Sequence, residues 1–404
     1  MSQLSAGARP ALWFLLILSL VHGVVDINAG AIISLLPLLR EEYGLSYTMV
    51  GMTPLLFSLT SSFTQPIFGY ISDRAQLRWL LPLSLALAGV GFAAVGFMSS
   101  YGLVLMAVIT SALGIAAFHP EGAHAAHHLS GGRRAMAMAI YNVGGNLGFA
   151  VGPVYAGLLI DLGGVRGTGW AVVLPLLLAL YIIRLLPRWQ AQEQSSPGKA
   201  LRREELPATN WLGTGLLTLL VVLRSVINLG VVAYVPFFWI DVLGNDPKTA
   251  GLVQMTYLIS GVFGTLLGAP LADRFGTKKV LVGSFMLLLP LQLALPYLEG
   301  WLMLACLFLS GFVVVSTFTT TLVMTQEYMP RSLGLAAGLN LGLAFGMGGV
   351  GAMLLGMVAD RWGVVAVLHV VATLVVPTLL LSLTLPATQR PAAPAVPVEG
   401  SGAR

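Results

Sequence analysis

The sequence predicts an all-α polytopic membrane protein of twelve transmembrane helices, arranged as two pseudo-symmetric six-helix bundles. Three observations carry this. The 404 residues are 57% hydrophobic and only 9% charged, where soluble domains carry roughly 25% charged residues. Apolar runs of about 20 residues, the length that crosses a bilayer, recur throughout. The second half also repeats the first. Gly69-Tyr-Ile-Ser-Asp73-Arg74 returns as Ala269-Pro-Leu-Ala-Asp273-Arg274, and Asn142-Val-Gly-Gly-Asn-Leu-Gly148 returns as Asn340-Leu-Gly-Leu-Ala-Phe-Gly346. A duplicated apolar chain with charged turns at matching places is the pattern of a secondary transporter built from repeats.

The crossings are read in order. The first, 13–39, is too long for a signal-peptide core and lacks a small-residue cleavage site, so it is a retained span closed by Pro37. The second, 48–72, ends in the charged turn at Asp73 and Arg74. The next four fall at 79–99, 101–128, 135–160 and 168–187. Residues 188–209, rich in Gln, Ser, Pro and charge, form a linker between an N-terminal domain (1–187) and a C-terminal domain (210–386). The second six crossings are placed at 210–240, 248–272, 279–298, 301–328, 333–358 and 364–385. The Pro/Ala-rich tail, 387–404, is read as a disordered cytoplasmic segment.

Basic residues set the orientation. With the N-terminus inside, 16 Lys and Arg fall on one face and 4 on the other, leaving Arg224 inside a span. Both termini and the linker are therefore expected in the cytoplasm, with the chain in a bacterial inner membrane. The single Cys306 excludes a disulfide framework. No nucleophile–base arrangement, phosphate loop or metal-ligand set is evident, and the loops are too short for a catalytic domain. The expectation is a non-enzyme without cofactor or metal, a monomer whose partners are a small-molecule substrate, protons and lipid, not nucleic acid.

A charge near the bilayer centre costs roughly 2.5–3.5 kcal/mol on insertion scales, so the few polar groups there point to function. In the first crossing His22 and Asp26 are four apart and share a helix face, with Asn28 further round. In the fourth, His119 and Glu121 flank Pro120. These four, His22, Asp26, His119 and Glu121, are the candidate proton-coupling groups. His124, His127 and His128 approach the interface and read as solvated. In the seventh crossing Arg224 is followed one turn later by Asn228. A permanent cation there needs an anion: Asp26, Glu121 or an anionic substrate. The tenth crossing has Thr317, Thr319, Thr320 and Thr321 where the fourth has His119-Pro120-Glu121. Those hydroxyls bond either a ligand or their own helix. Arg224, Asn228, Asn28, Thr317, Thr320 and Thr321 are thus the candidate substrate contacts. Asp73, Arg74, Asp273 and Arg274 are candidate gating residues, making hydrogen bonds in one conformation and releasing them in another. Glycines cluster in the fifth and eleventh crossings, at Gly144, Gly145, Gly148 and Gly152, and at Gly342, Gly346, Gly348, Gly349 and Gly351. They read as close helix packing or as a sliding seam between the halves.

The charged-turn motif resembles the cytoplasmic-loop motif of the major facilitator superfamily. His22 with Asp26, Gln65-Pro66-Ile-Phe-Gly69, Phe118-His119-Pro120-Glu121, Ser130-Gly131-Gly132-Arg133, Val143-Gly144-Gly145-Asn146-Leu-Gly148, Gln326-Glu327-Tyr-Met-Pro330 and Ala344 to Gly351 are similar to the fosmidomycin resistance group of drug-efflux transporters. The resemblance spans nearly the whole chain. It implies alternating access and drug:proton antiport, with Asp73 and Asp273 as conformational latches. His22, Asp26, His119 and Glu121 would line the N-domain side, and Arg224 the C-domain side. The sequence departs at Ala269, in place of the motif's glycine, and at Arg224, where a lysine is expected. Import of an organic anion with protons on the same fold stays open beside export.

Overall fold

The computed structural model describes residues 8–75, 78–129, 134–194, 208–330, 336 and 338–386. Among these the chain is helical apart from short turns. The first half runs α1 (Ala8–Ser34), α2 (Leu36–Tyr43), α3 (Tyr47–Ala75), α4 (Leu80–Ala94), α5 (Tyr101–His128), α6 (Arg134–Gly163) and α7 (Val173–Gln194). The second half runs α8 (Trp211–Phe237), α9 (Pro247–Phe275), α10 (Thr277–Ala294), α11 (Gly300–Tyr328) and α12 (Ala344–Thr384), the last preceded by a π-helical turn over Gly338–Leu343.

Nine stretches among the described residues are long and apolar enough to cross a membrane, and two of them, of 52 and 40 residues, suffice for two crossings each. Adding α3, 29 residues long, gives twelve. Helix ends follow local chemistry. The Asn210 side chain caps α8 by accepting from Gly213 N, and the Asp246 carboxylate caps α9 with Pro247 in its first turn. Gly44 ends α2 in the left-handed region at φ 61°. The first expected crossing is split at Leu35 by Pro37 in the first turn of α2. The last two expected crossings run on as α12, interrupted where Gly363 takes φ 82°. Helix α7 continues to Gln194, into the segment read as linker.

Glycines make the close seams, but not where one seam was expected. In α6, Gly144 and Gly148 meet the backbone of α1 at Ser19 and Gly23, and Gly152 meets it at Gly30 and Ala31. That seam lies inside the first half. In α12 two faces differ: Gly348 and Gly351 pack on Ser225 and Val226 of α8, whereas Gly346 and Gly349 pack on Ser62 and on Pro54, Leu55 and Ser58 of α3. Only the second face crosses between halves. Gly51 against Met353 and Gly251 against the Pro153 carbonyl extend the junction, so α3 with α12 and α6 with α9 are the main contacts between halves.

Polar bonds between described residues of the two halves cluster at the end opposite the basic loops. Asp360 of α12 accepts from Tyr47 N (2.6 Å), Thr48 N (2.9 Å) and the Thr48 hydroxyl (2.5 Å). An aspartate from one half thus caps the α3 N-terminus of the other, where unbonded N–H groups and the helix dipole favour an anion. Asp241 accepts from the Tyr47 hydroxyl (2.6 Å) and from Arg40 (3.3 Å), whose guanidinium also lies 4.0 Å from the Tyr47 ring centre. Ser34 donates to Gln254 Oε1 (2.7 Å), and Lys248 pairs with Asp161 at 3.4 Å. This end is latched.

Candidate functional site

Asp26 and Arg224 precede the latch residues Arg40 and Asp241 by 14 and 17 residues on their own chain segments. At 1.5 Å rise per residue, both stand roughly 21–25 Å from the latch along their chain segments, well inside the apolar spans.

In the first half α1, α5 and α6 converge on Asp26. Oδ2 lies 3.2 Å from Nε2 of His22, and Oδ1 lies 3.3 Å from Nε2 of His119. The i,i+4 spacing puts His22 on the Asp26 face, and α5 brings His119 from the other side. The Nδ1 of His22 is 2.9 Å from the Tyr141 carbonyl of α6. A carbonyl only accepts, so Nδ1 carries the proton and Nε2 faces the carboxylate. The Tyr141 ring stacks on His22, with centroids 4.0 Å apart. Gly145 completes the pocket, because a methyl group there would collide with both His22 and Asp26. His22 is 6% exposed, Asp26 15% and His119 29%, so solvent reaches the cluster from the His119 side.

The structure separates Glu121 from this group. Glu121 is fully buried and forms an ion pair with Arg78, which is 3% exposed. The expectation placed Glu121 beside His119 in the cavity lining and counted Arg78 among the 16 basic residues of the cytoplasmic face. Residues two apart on a helix face different ways, and Glu121 turns to the segment joining α3 and α4. Helix α5 runs unbroken through Pro120. Asn28 is likewise turned inward, donating to the Val24 carbonyl of its own helix (2.8 Å).

In the second half Arg224 of α8 is fully buried. Its Nη1 donates to Thr321 (2.8 Å), and its guanidinium lies 3.7 Å from the Phe318 ring centre. Its Nε and Nη2 have no hydrogen-bond partner, and no described carboxylate lies within ion-pair distance. Asp26 and Glu121, the internal anions considered for it, are engaged elsewhere. The threonines split. Thr321 holds Arg224, but Thr317 and Thr320 donate back to Val314 and Ser316 of their own helix. Asn340 sits behind Thr321 and donates to Thr325 (3.0 Å). Asn228 accepts from the Tyr257 hydroxyl (2.9 Å), one turn from Arg224.

Of the gating candidates, the side chains of Asp73, Arg74 and Asp273 lie outside the described residues, as do those of His127 and His128. Arg274 is exposed, 5.3 Å over the Phe275 ring. Residue-type reasoning missed Tyr141, Asp241 and Asp360, read Gly145 only as part of a packing seam, and read Arg78 only as a topology-setting charge. Asn340 was visible only as part of the repeat; its place behind Arg224 gives it a role. Asp241 and Asp360 carried a weak signal, being acids at the ends of apolar runs.

Comparison with known proteins agrees with this architecture. The family model described as Major Facilitator Superfamily matches residues 18–340 and 241–403. The fosmidomycin resistance protein of Escherichia coli (strain K12) is 33% identical over 371 residues, covering 91% of each chain. An MFS-type transporter of Bacillus subtilis (strain 168), YfnC, is 31% identical over 384 residues, covering 93% of each. The fold is shared with a bacterial homologue of the human lysosomal transporter Spinster, solved in an inward-facing, occupied conformation. Its TM-score is 0.77 at 15% identity, covering 94% of this chain and 97% of that one. The twelve crossings, the two related halves and these matches make the chain a membrane transporter, not an enzyme, and a member of the Major Facilitator Superfamily.

Proposed function

We propose that the chain is a proton-coupled antiporter that exports a small anionic or amphipathic compound across the inner membrane by alternating access. The observation that carries this reading is Arg224: a permanent cation, wholly buried, with two nitrogens unpartnered and no described carboxylate beside it. A buried unpaired charge costs several kcal/mol, and a substrate anion is the partner that would offset it. Across the molecule Asp26 stands between two imidazole nitrogens, the arrangement of a group that exchanges protons with solvent. The drug-resistance name of the Escherichia coli relative supports export.

The cycle follows from these placements. With the basic loops in the cytoplasm, the latched end faces outward, so the described conformation is the one closed on the outside. Substrate binds Arg224 from the cytoplasm, and the Asp360 and Asp241 contacts release as the transporter turns outward. A proton taken up at the Asp26 cluster from outside accompanies the return. One charge moving through about 100 mV supplies roughly 2.3 kcal/mol, near 50-fold in gradient. No cofactor is needed. The test is uptake of radiolabelled fosmidomycin and of an aromatic carboxylate into energised everted vesicles. Protonophore-sensitive uptake that disappears in Asp26→Asn and Arg224→Ala supports the proposal. Uptake indifferent to the protonophore, or intact in both variants, overturns it. Accumulation only in right-side-out vesicles would instead mark a proton symporter.

A further inference from the structure

The Asp26 cluster has a second chemical capacity. Two imidazole Nε2 atoms and one carboxylate converge so that their donor atoms all lie within 4.8 Å of one another. The nitrogen-to-oxygen separations are 3.2 Å for His22 and 3.3 Å for His119. Donors held about 2.0–2.1 Å from a tetrahedral zinc ion are about 3.3 Å apart, and each imidazole nitrogen already stands at that distance from one oxygen of the Asp26 carboxylate, His22 from Oδ2 and His119 from Oδ1. We infer that His22, Asp26 and His119 form a binding site for a divalent transition-metal ion of the zinc type, with the remaining coordination position open toward the His119 side.

Three further observations support a site and not a chance meeting. His22 Nε2 is buried and, despite its closeness to Asp26, makes no aligned hydrogen bond, so its lone pair is unspent. Its Nδ1 is held by the Tyr141 carbonyl, which fixes the tautomer and ring orientation as the outer-shell partners of metal-binding histidines do. Gly145 leaves free the space beside His22 and Asp26 that any other side chain would fill. Two imidazoles and a carboxylate, with no thiolate, suit zinc, cobalt or nickel and not calcium or magnesium, which prefer all-oxygen shells. The three ligands come from α1 and α5, both in the first half, so an ion would bind without tying the halves together. The order His22-x-x-x-Asp26 with a remote His119 is no familiar metal motif, so the site is not legible from spacing alone.

The inference concerns the same cluster as the proposed proton exchange, but its test is independent of transport. The full-length protein, purified in detergent with any polyhistidine tag removed, is titrated with cobalt(II) alone. The expected result is one cobalt per chain with the intense visible d–d bands of four- or five-coordination, displaced by zinc. His119→Gln and Asp26→Asn should each weaken binding at least about tenfold, while His369→Gln, a half-buried histidine paired with Tyr297 away from the cluster, should leave it unchanged. Monodisperse elution and an unchanged melting curve establish that each variant is folded. Should Asp26→Asn fail that check, the partly exposed His119 carries the test. Weak six-coordinate bands only, or binding that survives in His22→Gln/His119→Gln, overturns the inference. Transport in chelator-treated vesicles is then read separately, because proton-coupled uptake without bound metal leaves the antiport reading intact.

Discussion

The two halves hold their polar groups in opposite ways. In the first half, Asp26, His22 and His119 contact one another, and two of them are open to solvent. In the second, Arg224 is sealed from solvent, and Thr317 and Thr320 spend their hydroxyls on their own helix. The scaffold repeats while the chemistry does not. One half holds a cluster of two imidazoles and a carboxylate, and the other a lone guanidinium. Under the proposed antiport a transporter coupling two ligands would benefit from that division, because proton exchange would not alter the cation proposed to face the substrate.

The harshest test of the division is Asp26→Asn. The amide keeps the volume and cannot ionise, so energised uptake should drop to the level of vesicles lacking the protein, with folding retained. Glu121→Gln should behave differently, although Glu121 is also a buried acid. It removes the charge that pairs with Arg78, and breaking such a buried ion pair costs about 3–5 kcal/mol. Melting temperature and yield should fall, while transport per folded molecule persists. If Glu121→Gln lost coupling at full stability, the separation of Glu121 from the proton site would be wrong.

Arg224→Met sharpens the other side. A buried cation with two unpartnered nitrogens is replaced by an apolar chain of similar length. The expected outcome is loss of substrate uptake together with a stability gain of about 1–4 kcal/mol, read from thermal unfolding. Arg224→Lys should retain part of the uptake, since it keeps the charge and loses the planar fork.

The latch contrasts with both sites because, in the proposed cycle, it forms in one conformation and releases in the other. Asp360→Ala removes an N-cap worth about 0.5–2 kcal/mol, shifting the closed-to-open ratio at that end by about 2- to 30-fold. Spin labels at Glu42→Cys and Asp246→Cys, with Cys306→Ser, would read the shift by pulsed dipolar spectroscopy. Burial acts to raise the Asp360 carboxyl, and hydrogen bonds from Thr48 and Tyr47 outweigh it, holding it below the usual carboxylate range. A group depressed in the closed state stabilises that state above its open-state value, near 3.9, and loses the effect as pH falls through the closed-state value. The Asp360 contribution should therefore be constant from neutral pH to about pH 5.

How much of this was legible follows from the physics of each feature. Hydropathy and duplication revealed the twelve-helix fold, because a bilayer dictates both span length and composition. Asp26, His119 and Arg224 were legible because charge inside a span is costly and hence rare. Their partners were not. Tyr141 acts on His22 through a backbone carbonyl, which every residue has. Gly145 matters for the side chain it lacks. Glu121 looked like His119's companion because they are close in sequence, and helical rotation gave it to Arg78 instead. The latch depends on helix ends from different halves meeting, which no local pattern encodes.

The smallest expected effect tests whether the second half's threonines belong to the site at all. Thr317 Oγ1 lies 2.6 Å from the Val314 carbonyl and Thr320 Oγ1 3.2 Å from that of Ser316, and both residues are buried. Valine keeps their shape, and the carbonyls they release still have their helix partners. Thr317→Val and Thr320→Val should each change half-saturation for uptake by less than about threefold, near 0.6 kcal/mol. Thr321→Val should cost more, because it removes the one acceptor that holds Arg224 Nη1 in place and leaves a charged donor buried without a bond, worth about 1–3 kcal/mol. Equal losses at all three positions would mean that the hydroxyls turn to substrate during the cycle, and that the second half is as chemically engaged as the first.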